Sequence, residues 1–396
     1  MSGAPSQPEA RTAARPLHIV QVSFDASLLD GGEASDSIAR QKLYSRLLAE
    51  RRPGSRMTIV VLNAPATAVA CSWDNLHVVP ISGRWASLRR LPAALRALDR
   101  EAAIGVIAAQ SPFEDAWAAL MFARRRIPVV VQVHFDVLAA EALPRGSMIR
   151  RLAGKARQRL ALRSLRRFAS VRVVAAAMKR RLEAAGARDV RAIPVPVLDL
   201  ETLVAVAEAP RHEPNILYVG RLAPEKRLDL WLEAARRIRD EVSAATFDIV
   251  GSGGERGTLE RQAAELGLAS AVTFHGHARR EELPEHFARA RVLMLSSDHE
   301  GFGRVLLEAM AAGVAVVSTA TAGAREIIAE GSGAGALVPV GDAAALAAAA
   351  SPLLTDDGHH CRMVDAARAH IRGRYDPMQL AVGWVEMLID VAERGP

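Results

Sequence analysis

Residues 292–319 read VLMLSSDHEGFGRVLLEAMAAGVAVVST. The apolar run VLMLSS (292–297) ends in a short polar turn flanked by glycines, residues 303–312 carry apolar side chains at helical spacing, and VAVVST (314–319) follows at once. Continuous aliphatic runs of this length suit strands buried on both faces. A helix between two such runs is the repeating unit of a parallel α/β sheet. Working outward, the unit recurs. ILYVG (216–220), FDIVG (247–251) and VTFHG (272–276) precede helical patterns over 225–240, 254–267 and 280–290. Toward the N terminus, LHIVQVSF (17–24), MTIVVL (57–62), IGVIAA (104–109), IPVVVQVHF (127–135), VRVVAA (171–176) and VRAIPV (190–195) form a second series. Between the two series lie IPVPVLD (193–199) and the acidic, proline-bracketed stretch 198–215, which read as a linker. The fold class predicted is α/β: two Rossmann-like doubly wound domains, 16–200 and 212–375, facing each other across a cleft. Residues 1–15 are expected to be a disordered tail, and 376–396 a C-terminal helix packing back on the first domain. Such sheets bind ligands at the carboxyl ends of their strands, but the fold alone leaves function open.

Composition narrows the class. Half of the 396 residues are hydrophobic and about a quarter charged, which is globular. The two cysteines, Cys71 and Cys361, suggest neither a disulfide framework nor a zinc site, and a reducing, cytoplasmic setting is expected. The opening MSGAPSQPEARTAARP has no apolar core and reads as neither signal peptide nor anchor. No run of about 18 apolar residues predicts a membrane span. The net charge of +7 is unevenly spread: 145–181 holds thirteen Lys or Arg and no Asp or Glu. Within it, Ile149, Leu152, Ala153, Ala156 and Leu160 recur at helical spacing with basic residues opposite. That pattern fits a helix docking on anionic lipid, and equally an ordinary solvated helix. Phe168 is the sole aromatic there, which argues against a nucleic-acid partner.

Candidate site residues lie at the strand ends. Glu300 sits on the turn and Glu308 in the helix after it, separated by a rise of at most roughly 12 Å. Two carboxylates so spaced can accept hydrogen bonds from hydroxyl pairs at opposite ends of one ligand, while backbone N–H groups of Gly301, Phe302 and Gly303 face an anion. A turn residue and a solvated helix face explain the two carboxylates equally well. In GRLAPEKRLDLWLEA (220–234), Gly220 ends a strand, and Arg221 and Lys226 can converge on one pyrophosphate. Gly251 opens the turn GSGGE, His277 follows the next strand, Gly31 and Gly32 follow the first strand, and His134 ends another, two residues before Asp136. A strand-end histidine can donate into the cleft or serve structure alone.

HEGFGRVLLEAMAAGVAVV resembles the signature of the retaining glycosyltransferases of family 4, which have the GT-B fold; that signature places two glutamates, with seven residues between them, inside EGFG and LEAMA. The resemblance is strong over 212–340 and patchy but continuous over 17–200. It implies that Glu300 contacts the donor sugar, Glu308 the ribose, Arg221 and Lys226 the diphosphate, and His134 the donor sugar. Gly220, Gly251, His277 and the Gly31-Gly32 loop would line the nucleotide-sugar. Departures are Ala315 for a common Pro, Arg227 for Gly, Val174-Ala175 where the family has VS, and Pro194-Val195-Pro196 where it has PNG. The implied activity is transfer of a hexose from a UDP- or GDP-sugar to a hydroxyl of a glycan or lipid-linked acceptor, with retention. Bacterial surface polysaccharide or glycolipid synthesis at the inner face of the membrane is the implied setting. No cofactor and no metal are expected, because the cations replace the ion. An epimerase of the same fold and a non-catalytic sugar- or lipid-binding relative are the alternatives. A nicotinamide dehydrogenase is disfavoured because no GxGxxG follows the first strand.

Overall fold

The computed structural model describes residues 15–29, 36–134, 137–138, 148–198, 200–206 and 213–396. Among them, eight strands form the first sheet: β1 (His18–Ser23), β2 (Arg56–Ala64), β3 (Cys71–Trp73), β4 (Leu76–Ser82), β5 (Ile104–Ala109), β6 (Val129–Val133), β7 (Ser170–Val173) and β8 (Val190–Ala192). Their order is β3-β4-β2-β1-β5-β6-β7-β8, and every pairing except β3 with β4 is parallel. The helices in this half are α1 (Asp36–Arg51), α2 (Arg84–Glu101), α3 (Glu114–Ala123), α4 (Met148–Ser164) and α5 (Ala176–Ala184). A short α6 (Leu200–Val206) leads into the second half and packs on helices there.

The second sheet contains β9 (Asn215–Val219), β10 (Thr246–Val250), β11 (Val272–Gly276), β12 (Val292–Leu295), β13 (Ala315–Thr319) and β14 (Ala336–Val338), all parallel, in the order β11-β10-β9-β12-β13-β14. Its helices are α7 (Leu228–Glu241), α8 (Arg256–Glu265), α9 (Leu283–Arg289), α10 (Arg304–Ala311), α11 (Ala322–Ile328), α12 (Ala343–Thr355) and α13 (Asp357–Ile371). The strand order reverses between β9 and β12, so Gly220, after β9, and Ser296, after β12, leave the sheet side by side. That is the switch point where open α/β sheets bind ligands.

Packing fixes this geometry. Helix α7 buries Leu228, Trp231, Leu232, Ala235 and Ile238, and the Trp231 indole N–H donates to the Met294 carbonyl at 2.9 Å. The segment before α7, which carries Lys226, is thereby tied to β12. The last helix, α14 (Pro377–Arg394), lies on α1, with Trp384, Val385, Leu388 and Val391 buried beside Tyr44, Leu47 and Leu48. Each fully buried side chain of this kind contributes about 1.5–3 kcal/mol.

Three differences from the sequence reading have physical causes. Strands β3 and β4 lie outside the aliphatic runs that mark the other strands. Pro80 in LHVVPIS argues against a central strand, yet β3 pairs only with Leu76–Val78, so at Pro80 one side of β4 is open. The pattern over 225–240 is broken by Arg227, whose left-handed backbone (φ 51°) separates a 3-10 turn at Pro224–Lys226 from α7. The basic stretch is not uniformly a surface feature, because Arg172 is 2% exposed. Its Nε donates to the Ile193 carbonyl, Nη1 to Gln132 Oε1 and Nη2 to the Pro194 carbonyl, each at 2.9 Å, and the Trp384 ring lies 4.5 Å away. Desolvating an ion costs several kcal/mol. Charge-assisted bonds of about 1.5–3 kcal/mol each and a desolvated cation–π contact of about 2 kcal/mol are of the same size.

Candidate active site

Six site residues meet in one cavity. His134, Lys226, Glu300, Gly301, Phe302 and Gly303 line a space of about 320 Å³ between the domains. At its centre Lys226 Nζ donates to Glu300 Oε1 at 2.6 Å, with both side chains largely shielded. The surrounding bonds hold this pair in place. Ser297 Oγ donates to the same carboxylate oxygen (2.8 Å), Ser296 Oγ donates to the Lys226 carbonyl (2.9 Å), and the Asp298 N–H donates to the Glu225 carbonyl (2.9 Å). The last two tie the loop after β12 to the loop after β9, and the first holds the Glu300 carboxylate within its own loop.

The glycines here are steric requirements. A Cβ on Gly251 would lie 1.8 Å from the Gly220 carbonyl oxygen, and one on Gly323 would lie 2.8 Å from the Glu300 oxygen. Gly251 lines neither cavity described here; it lets the turn after β10 press against Gly220. The Gly323 N–H donates to the Glu300 carbonyl (3.0 Å), bracing the loop from α11. Gly303, at φ 79°, starts α10. The Phe302 ring is buried against Tyr375, with centroids 5.9 Å apart.

A second cavity of about 660 Å³ is lined by Gly220, His277, Arg280, Arg304, Glu308 and, from the first domain, Asp36. Val219, Arg304 and Val305 line both spaces, so they adjoin. Asp36 pairs with Arg40 on its own helix and with Arg280 and Arg304 across the cleft; the Arg304 contact is 2.7 Å. Arg304 also lies 3.5 Å from Glu308. Asp36, Arg280, Arg304, Ser297 and Gly323 were absent from the sequence reading. The paired serines ending the strand were a local signal for Ser297; the others owe their place to contacts from distant elements.

Arg221 departs from expectation. Its side chain is 75% exposed and donates to Glu225 at 2.8 Å, so it does not converge with Lys226. Arg227 pairs with Asp229 and Asp298 rather than entering the cleft. Gly31, Gly32 and Asp136 lie outside the described residues.

Protonation states follow from surroundings. Burial, reinforced by the positive charge of Arg172, lowers the His134 pKa to about 4, so the imidazole facing Lys226 and Glu300 is neutral at pH 7. Burial, with the Glu300 carboxylate nearby, raises the Tyr218 pKa and keeps its phenol protonated; its hydroxyl donates to the Arg221 carbonyl at 2.9 Å. The site thus offers a cation, a carboxylate and a neutral imidazole in one space, and a carboxylate among arginines in the next. That arrangement suits an elongated ligand with hydroxyls at both ends and negative charge between.

A two-domain α/β protein with a polar cleft between two doubly wound sheets defines the GT-B class. The family model for glycosyl transferases group 1 matches residues 201–370, and that for the glycosyl transferase 4-like domain matches 10–197. The chain belongs to the group 1 glycosyltransferases (family 4). It is 31% identical over 211 residues to the 2-deoxystreptamine N-acetyl-D-glucosaminyltransferase of Streptomyces fradiae, covering 52% of this chain and 49% of that one. It is 36% identical over 162 residues to the GDP-mannose-dependent alpha-(1-6)-phosphatidylinositol monomannoside mannosyltransferase of Mycolicibacterium smegmatis, covering 39% and 42%. The matches thus span about half the length of these curated relatives or less. HepE of Anabaena, solved with UDP and glucose, superposes with a TM-score of 0.71 at 19% identity, covering 94% of this chain and 100% of that one, which shows the shared fold.

Proposed function

We propose that the protein transfers a hexose from a UDP- or GDP-sugar to a hydroxyl of a glycan or lipid-linked acceptor, with retention and without a metal ion. The observation that carries this reading is the Lys226–Glu300 pair in the cavity shared with His134, next to the space that holds Glu308. Glu300 accepts hydrogen bonds from the sugar hydroxyls and Glu308 from the ribose. Lys226 Nζ, released from Glu300, meets the diphosphate between them, and the exposed Arg221, on leaving Glu225, adds a second positive charge. The bond from the anomeric carbon to the diphosphate breaks, and its electron pair leaves with the phosphate oxygen. The acceptor oxygen bonds to the same face of that carbon, and its proton passes to the departing diphosphate. The neutral His134 imidazole donates a hydrogen bond to the sugar. The names of the relatives support this substrate class, one being a GDP-mannose-dependent mannosyltransferase and the other a glucosaminyltransferase.

The acceptor side rests on α4. Leu152, Ala153, Ala156 and Leu160, read from the sequence as the apolar face, point outward together with Met148, while Ala161 and Leu165 face the core. Lys155, Arg159, Arg163, Arg166 and Arg167 are exposed alongside. Outward apolar side chains among cations suit docking on anionic lipid, at the cytoplasmic face of a membrane where a lipid-linked acceptor resides. No helix among the described residues is long and apolar enough to cross a membrane.

Nucleotide release from a panel of UDP-, GDP- and ADP-sugars tests the donor assignment: turnover of at least one is expected, and none with any acceptor extract overturns it. Flotation with anionic liposomes tests the docking surface. Binding that weakens with salt is expected, and no binding at low salt removes it.

A further inference from the structure

The chain passes between the domains twice. It leaves the first domain after β8 through residues 193–198 and enters α6, which packs on α9 and α10. It returns between α13 and α14 through residues 372–376, and α14 settles on α1. Arg172 touches the first residues of the outbound crossing and the helix that follows the return crossing. Ile193 and Pro194, whose carbonyls accept from its Nε and Nη2, are the first residues of the outbound segment, and Trp384, under its guanidinium face, lies in the third turn of the returning helix. Its remaining contacts, Gln132 Oε1 and the Tyr44 phenol, come from β6 and α1 of the first domain. No carboxylate among the described residues pairs with it. A buried guanidinium held only by neutral acceptors must keep each of them in hydrogen-bonding geometry, since water is not there to replace one. The planar fork holds those acceptors at fixed angles, which a flexible ammonium cannot do.

We propose that Arg172 is a positioning residue that sets the angle between the two domains, and with it the distance from His134 on the first domain to Lys226 and Glu300 on the second. The part concerning turnover rests on the proposed transferase function; the part concerning domain angle does not. The two cysteines provide the probe, since Cys71 lies on β3 in the first domain and Cys361 on α13 in the second, and both are free. Nitroxide labels on the full chain report the interdomain distance by double electron–electron resonance with no engineered residue. Arg172→Met, checked for cooperative melting, is expected to shift or broaden the distance distribution. It is also expected to reduce kcat on the order of 100-fold through misplacement of reacting groups, while UDP and GDP, whose proposed partners Lys226 and Glu308 both lie on the second domain, bind as before. Arg172→Lys, which cannot reach both carbonyls and the glutamine together, is read in the same way if the methionine variant does not fold. An unchanged distribution in a folded variant overturns the proposal, whatever happens to turnover. A changed distribution in a protein with no transferase activity upholds the positioning role and removes only the functional reading.

Discussion

Lys226 Nζ and Glu300 Oε1 stand 2.6 Å apart at the ends of two loops that leave neighbouring strands, each shielded from water and each the other's counter-ion. In the proposed function Glu300 exchanges this ammonium for the donor's sugar hydroxyls, and Lys226 exchanges this carboxylate for the diphosphate. Removing either partner leaves a shielded charge alone. Lys226→Met and Glu300→Gln are each expected to lower stability by about 1–3 kcal/mol, and the double variant by less than their sum, with a coupling of at least about 1 kcal/mol. Denaturant unfolding of the four proteins measures this, and strictly additive losses would contradict it.

Arg227 occupies a left-handed position (φ 51°, ψ 44°), a conformation that glycine adopts without steric cost. The strain, about 1–2 kcal/mol for a residue with a Cβ, is offset by ion pairs to Asp229 and Asp298. Arg227→Gly removes both and should melt close to wild type. Arg227→Val keeps the strain, adds β-branching and loses the pairs, and should be less stable by about 2 kcal/mol or more. Equal melting temperatures for the two variants would refute the offset.

The turn after β10 presses on the loop after β9, because a Cβ on Gly251 would meet the Gly220 oxygen at 1.8 Å, whereas one on Gly254 would meet nothing within 4 Å. Gly251→Ala is therefore expected to cost at least about 2 kcal/mol and to weaken nucleotide binding, while Gly254→Ala stays within about 0.5 kcal/mol of wild type. Urea titration and calorimetry with UDP and GDP compare them. A normal Gly251→Ala protein would mean that the two turns are not in contact.

His134 gives the cleft a pH signature. Its folded-state pKa, about 4, lies below the unfolded value near 6.5. Between those values the unfolded chain takes up a proton that the folded chain refuses, so stability is complete above pH 6.5 and falls as pH drops toward 4, by at most about 1.4 kcal/mol per unit. His134→Gln should flatten this part of the profile. An unchanged slope between pH 6.5 and 4 would show that the imidazole is freely solvated.

The doubly wound strands were legible because buried parallel strands read as unbroken aliphatic runs, and the loop at 298–303 was legible because its glycines and carboxylates are contiguous. What was hidden depends on distance along the chain. Asp36 gains its role from Arg280 and Arg304, and Arg172 from Trp384; no local pattern announces either. Arg172 in VRVVAA looked like one more surface cation because burial depends on α14, which the chain adds at its end. The stripe on α4 was visible as a period, but its outward direction depends on which face α3 and the sheet cover.

In the proposed function Lys226 meets the donor's diphosphate from a loop held against Glu300. The most direct test is the rate of nucleotide release by Lys226→Ala with the donor on which the wild-type protein turns over, in a variant shown by circular dichroism to be folded. Loss of one preorganised cation at a leaving group predicts a fall of at least about 100-fold. A near-normal rate would contradict the account.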